Sequence, residues 1–253
     1  MRLEQAVFTS TRSSRLDGYQ LAARSSGVSE ALAKEMTTWG PAHDSLWDTR
    51  LDARTVNFHP LSTGDYCLSW TSIAGAEYSG RGGGRIYTQM FLLPRTALTR
   101  FACDPFLVLR ALSAAGRMVV HDQVPDSLPS VPLLGRCERA DAGIATQVID
   151  EVGAKVFDDL VDAVANAPKV AVLTNGHVER LFQAVLHTFS PDDRLTISFT
   201  TGLKDSPRRP FKLFVLPNDQ SIVRQSQRLN GARVVDLVGE DVRGSSRLSG
   251  AAK

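Results

Sequence analysis

A chain of 253 residues can bury a substantial core without disulfides or a structural metal, as one large domain or two of ordinary size. Its 43% hydrophobic and 22% charged residues exclude a disordered chain. With 29 basic against 27 acidic residues, a net charge of +2, it lacks the basic excess of a dedicated nucleic-acid binder.

The first twenty residues contain no apolar core of the kind a secretory signal needs. Residues 4–12 read as an opening strand, and "SSRLDG" as a turn. Residues 19–25, "YQLAARS", alternate as a second strand and complete a hairpin. A helix follows, with Ser29 as N-cap and Val28, Leu32 and Met36 on one face, ended by Gly40-Pro41. Two strands at 56–61 and 66–73 are joined by "STGD". "GRGGGR", residues 80–85, leads into an apolar strand at 86–93 that Pro94 stops. The next stretch is helical in two pieces split at Asp104-Pro105.

Pro125, Pro129 and Pro132 mark residues 125–153 as a linker or crossing loop. Beyond it the chain reads as helix (154–167), buried strand ("KVAVLTN"), helix ("GHVERLFQAVLHTF") and two strands ("RLTISFTTGL", "PFKLFVLP"). The expected class is α+β: mixed or antiparallel sheets with packed helices, the second half a small α/β subdomain. The expected division is an N-terminal domain at 1–124, the linker, a C-terminal subdomain at 154–239 and a tail at 240–253 without apolar anchors. No apolar run approaches the ~20 residues that cross a bilayer. Cys67, Cys103 and Cys137 are odd in number, far apart and without a CxxC pair, so they read as reduced thiols. A cytoplasmic protein, with no membrane contact, is the expectation.

"GRGGGR" raises the question of a phosphate cradle. A P-loop needs GxxxxGK[ST] between strand and helix, and the dinucleotide fingerprint also needs a helix next. Here a strand follows and no Lys-Ser/Thr is present. The plainer reading is a hairpin connection. The sharper one is a partner- or anion-binding loop in which Gly82, Gly83 and Gly84 offer amides and Arg81 and Arg85 grip an anion. Arg208 and Arg209 in "DSPRRPFK" form a second basic loop suited to an acidic partner.

Other candidates each have a plainer account. His121-Asp122 point to opposite faces if on a strand and read as a turn. His177 and His187, ten residues apart, do not have zinc-site spacing, and no metal or other cofactor is expected. Ser25-Ser26-Gly27 is no nucleophile elbow. Cys67 lies in an apolar strand and reads as a packed thiol.

"VFTSTRSSRLDGYQLAARSSGVS" resembles the opening of the bacterial GTPase-associated protein family, its amino-terminal and middle domains. "GRGGGRIYTQMFLLPRTAL" and "SPDDRLTISFTTGLKDSPRRPFKLFVLP" resemble later segments of the same family. The matching positions are Thr9, Ser10, Gly18, Gln20, Ser25, Gly27, Gly80, Arg81, Gly83, Arg194, Ser198, Phe199, Thr200 and Thr201. The chain departs from the family pattern at Thr88-Gln89-Met90 and at Ser190-Pro191.

The resemblance implies an α+β accessory protein, non-catalytic or uncharacterised, that works beside a GTPase or another NTP-dependent component in bacterial conflict, antiviral defence or signalling. It also implies that residues 80–85 are a strand connection facing a partner. The leading expectation is therefore an adaptor that binds a protein partner, an NTPase or assembly subunit, through Arg81, Arg85, Arg208 and Arg209. The alternative is a small hydrolase or nucleotide-processing enzyme beside the 80–85 loop, with His59 or His121 as acid/base and Cys67 or Ser25 as nucleophile. A homo-oligomeric structural subunit is the third reading.

Overall fold

The computed structural model describes residues 1–12, 17–50, 52–76, 84–139, 141, 143–217 and 231–238. The chain opens with β1 (Arg2–Arg12) and β2 (Asp17–Arg24), an antiparallel hairpin in which Thr9 faces Gln20. Helix α1 (Glu30–Trp39) begins where Ser29 Oγ accepts from the Leu32 amide at 3.3 Å. It buries Leu32, Ala33 and Met36. A Cβ at Gly40 would lie 2.6 Å from the Phe8 ring, so glycine lets the helix end rest directly on the sheet.

Strands β3 (Arg54–Pro60), β4 (Tyr66–Ala76) and β5 (Gly84–Leu93) form an antiparallel meander, and β5 pairs with β1. Helices α2 (Arg95–Thr99) and α3 (Pro105–Ala114) follow. Asp104 caps α3, accepting from the Phe106 amide at 2.8 Å, and Pro105 fills the first turn, where its missing N–H costs nothing. The short β6 (Val131–Pro132) pairs with β1.

The rest comprises α4 (Gly143–Val152), α5 (Ala154–Asn166), β7 (Val170–Leu173), α6 (Val178–His187), α7 (Pro191–Arg194), β8 (Phe199–Thr200), β9 (Leu213–Leu216) and β10 (Arg233–Asp236). Among the described residues ten strands build one sheet, ordered β10-β7-β9-β8-β3-β4-β5-β1-β2, with β6 beside β1. It is antiparallel from β8 through β3 to β2 and parallel across β8, β9, β7 and β10. The fold is therefore α+β with a parallel, helix-linked second half, as the sequence predicts.

Three local expectations change. Helix α4 lies inside the stretch read as a linker. The strand expected over "RLTISFTTGL" shrinks to Phe199–Thr200. Just before it, Ser190 accepts from the Asp193 amide at 3.2 Å and starts α7, which has Pro191 in its first turn and runs to Arg194. Strand β10 has no counterpart in the predicted elements. Residues 240–253, expected as a tail, lie outside the described residues.

A single buried cluster joins Leu3, Phe58 and Phe91 from the first half to Phe182, Phe199 and Leu213 from the second. The rings of Phe106 and Phe199 stack at 4.9 Å across that junction. No helix among the described residues is long and apolar enough to cross a membrane.

Candidate functional site

The sequence-predicted residues do not converge on one place. Arg81, Gly82 and Gly83 lie outside the described residues. Gly84 opens β5 opposite Ala76, and a Cβ there would fall well inside van der Waals contact with the Ile73 side chain. Arg85 and Arg209 were expected on exposed loops, and both are buried instead, at 6% and 8% exposure. Arg85 Nε donates to the Ala74 carbonyl at 2.9 Å, and its Nη2 faces the His121 carbonyl at 3.5 Å. Arg209 reaches the Gly40 carbonyl (3.4 Å) and Ser45 Oγ (3.3 Å). Burial lowers the Arg209 pKa, and nearby Asp205 opposes the shift. Their chains stitch loops to the sheet because a buried guanidinium needs acceptors. Arg208 is exposed.

The hydrolase candidates are held in packing roles. His59 is 2% exposed and lies flat on Trp39, ring centroids 3.7 Å apart and 10° off parallel. Burial pushes its pKa down to about 4, against a hydrogen bond with the Pro60 carbonyl. Cys67 faces His59 across β3 and β4 and is fully buried, which pushes its thiol up to about 12. Burial thus drives both members of this neighbouring pair to their neutral forms, the reverse of a thiolate–imidazolium couple. Ser25 Oγ accepts from the Gln5 amide at 2.8 Å and donates to the Gln5 carbonyl at 3.1 Å. Its hydroxyl is occupied by the β1 backbone. His121 sits in the loop after α3 and offers its carbonyl to Arg85.

A different place carries the most site-like geometry. Between the N-terminal turn of α6 and the start of β3 opens a cleft of about 790 Å³. Arg50, Arg54, Arg110 and Arg180 stand around it, the first two four residues apart and the others from α3 and α6. Phe106, Gln183 and Thr201, all buried, form its floor. Arg50 is paired with Asp48 at 2.8 Å and lies 3.8 Å from Asp52, and Arg180 is paired with Glu151. Arg54 and Arg110 have no ion-pair partner among the described residues. Arg54 lies over the Trp70 ring at 5.6 Å. Glu179 also lines the cleft, where desolvation raises its pKa against the pull of Arg110 and Arg54. The cleft lies where β7 ends and α6 begins. This is the carboxyl end of a parallel strand, the position at which open α/β sheets bind ligands. No side chain caps the α6 N-terminus.

A buried polar chain runs beneath this floor. Arg110 Nη1 donates to Gln183 Oε1 at 3.0 Å, and Gln183 Nε2 donates to Asp104 Oδ2. The same Asp104 oxygen lies 2.8 Å from His187 Nε2. His187 Nδ1 lies 3.3 Å from the Asp141 carbonyl. Asp104 is completely buried, and its Oδ1 caps α3. The i,i+4 spacing of Gln183 and His187 on α6, facing an Asp-Pro helix start, is a signal the sequence held. Arg50 and Arg54 are near neighbours in the chain, but only the fold brings Arg110 and Arg180 beside them.

Several residues of the motifs quoted above serve the framework. Thr9 Oγ1 donates to the Ile86 carbonyl at 2.7 Å. Arg194, 8% exposed, binds the carbonyls of Ala102 (2.8 Å), Phe189 (3.1 Å) and His187 (3.4 Å). It thereby braces the turn where Ala102 and Cys103 take positive φ. Thr201 Oγ1 accepts from the Val56 amide at 2.8 Å, and Thr200 Oγ1 donates to Asn57 Oδ1 at 2.5 Å. These hydroxyls fasten β8 to β3, which is the seam between the two halves.

Among the described residues no three His, Cys, Asp or Glu side chains gather as metal ligands. The family model for GTPase-associated protein 1, N-terminal domain type 2, matches residues 2–134. The chain belongs to that family. The match ends before α4, so the resemblance of the later "SFTT" segment lies beyond it. No curated protein and no solved structure gives a significant match.

Proposed function

We propose that the chain is an accessory protein that binds a partner NTPase of the GTPase kind, as an adaptor in a cytoplasmic bacterial conflict or signalling system. The observation that carries this reading is the family match across residues 2–134, a family described by its association with a GTPase. A second support comes from Ser25, Cys67 and His59. Each is held in a packing or backbone-bonding role, which favours an adaptor over a hydrolase built on them. Arg208, exposed on its loop, is the first contact residue on the described surface, and Arg81 joins it from the sequence. Exposed arginines are enriched where interfaces concentrate energy.

The test is capture of the tagged full-length chain from its native cytoplasm, with mass spectrometry of the bound proteins and the native mass of the complex. A stoichiometric NTPase, lost in an Arg81→Glu/Arg208→Glu variant, is expected. A species at the chain's own 27.5 kDa, or a multiple of it with no other protein, overturns the adaptor reading. The multiple would assign the chain to a homo-oligomer.

A further inference from the structure

We propose that the arginine-lined cleft binds a small phosphate ester of nucleotide size, seating its phosphates between Arg54, Arg110 and the start of α6. This goes beyond the adaptor reading and does not depend on it, since the isolated chain carries the whole cleft.

Four observations carry the proposal. The cleft is about 790 Å³, within the range of small-molecule sites. Arg54 and Arg110 lie on its wall without ion-pair partners, although carboxylates hold Arg50 and Arg180 beside them. The Glu179 carboxylate, which both attract, offsets only part of their charge, and the planar guanidinium fork matches phosphate oxygens two at a time. Arg110 is braced from below by Gln183 and, through it, by the buried Asp104. An arginine held by a buried support has lost much of the rotamer freedom that binding would otherwise remove. Lastly, Gly176, His177 and Val178 line the cleft where α6 starts without a capping side chain, leaving first-turn amides free to add to an anion site.

The remainder of the lining sets the ligand class. Leu109 and Ile144, with Phe106 of the floor, give an apolar side, which suits the body of an ester rather than a bare inorganic ion. Glu179 stands on the opposite character: a carboxylate near two arginines repels a second anionic group and accepts from a donor edge, such as a base amino group. The two sides of the cleft come from different parts of the chain. Arg54, Phe106 and Arg110 lie in the family-matched segment, and Gly176 to Gln183 lie beyond it.

The experiment is a thermal-shift and calorimetric titration of the full chain with GDP, ADP, pyrophosphate, inorganic phosphate and guanosine. Saturable stabilisation by the nucleotides, weaker response to pyrophosphate and none to guanosine is expected. Arg54→Gln and Arg110→Gln should each weaken the nucleotide about tenfold, as loss of a charge-assisted hydrogen bond implies. Arg54→Lys and Arg110→Lys retain charge and packing and should weaken it less, so the test survives if a glutamine variant folds poorly. Arg136→Gln, exposed and outside the cleft, should leave affinity unchanged. No saturable response to any phosphate compound overturns the proposal. So does nucleotide affinity that is equal in the wild type and the Arg54 and Arg110 variants. Binding of a polyglutamate peptide with the same arginine dependence, in place of the nucleotides, also overturns it and makes the cleft a protein-docking surface.

Discussion

Replacing Asp104 by alanine removes the support on which the floor of the cleft rests, and its cost can be worked from the contacts. Asp104 caps α3, bonding to the Phe106 amide at 2.8 Å and the Leu107 amide at 3.3 Å. Loss of such a cap costs about 1 kcal/mol. The other carboxylate oxygen receives Gln183 Nε2 and His187 Nε2, and Asp104 is fully buried. A buried donor left without its acceptor costs roughly 1–3 kcal/mol. With two such donors the expected destabilisation is on the order of 3–7 kcal/mol, well above that of a cap alone. Urea unfolding followed by tryptophan fluorescence measures it, with the slope checked for constancy. Asp104→Asn retains an acceptor for the helix amides but sets an NH2 group among the other donors, and should fall between alanine and wild type. A double-mutant cycle with Gln183→Leu should show coupling above about 0.5 kcal/mol, because the two side chains share one network. A loss below about 1 kcal/mol in Asp104→Ala, with no coupling to Gln183, would refute the buried chain as a structural unit.

Three further outcomes follow from the same packing. The unfolded chain takes up the His59 proton near the ordinary value of 6.5 and the folded chain only near 4, so stability present above pH 6.5 is lost as pH falls toward 4. The difference approaches roughly 3 kcal/mol, and His59→Phe should flatten that part of the stability–pH curve relative to wild type; parallel curves would show that His59 is not buried neutral. Cys67 and Cys103 are buried and Cys137 is partly accessible, so native protein should react with a thiol reagent at one site and at three after unfolding. Rapid native labelling of Cys67, mapped by mass spectrometry, would contradict its placement. Residues 1–134 expressed alone lack β8, Phe199 and Phe182, against which β3, Phe58 and Phe106 pack. That fragment should show no cooperative unfolding transition, and a sharp one at wild-type temperature would make the matched segment an independent domain.

Much of the framework was legible because local chemistry and the final fold agree. Ser29 starts α1 as its capping preference requires, and Gly40 ends it where only glycine fits against Phe8. The Asp104-Pro105 break divides α2 from α3, and it works as a helix start rather than a helix disruption. Strands β1, β4 and β5 were legible as apolar segments because each packs against α1 on one side and the larger helical core on the other. The failures have equally local causes. Ser190-Pro191-Asp192 starts a helix just before the expected strand, and that helix runs into its first residue, Arg194. Helix α4 was hidden behind the prolines at 125–132, which bend the chain before it but do not reach it.

The site was less legible because arginine carries two opposite roles that a sequence writes in the same letter. Arg85, Arg194 and Arg209 each bind backbone or hydroxyl oxygens from within the protein, and burial fixes them as braces. Arg54 and Arg110 face an open cleft. What separates the two groups is where carbonyl acceptors lie, and that depends on loops folded from distant segments. Glycine-rich spacing drew attention to residues 80–85, yet the described end of that segment, Gly84 and Arg85, is shaped by contact with β4. The cleft instead arises at the seam where an antiparallel meander meets a parallel β–α–β arrangement. At that seam β8 is held to β3 by the hydroxyls of Thr200 and Thr201, and Thr201 also forms part of the cleft floor. The same threonine therefore fastens the two halves and lines the space between them. Any change that loosens the seam should also change the cleft, which is why stability and ligand response must be measured on the same variants.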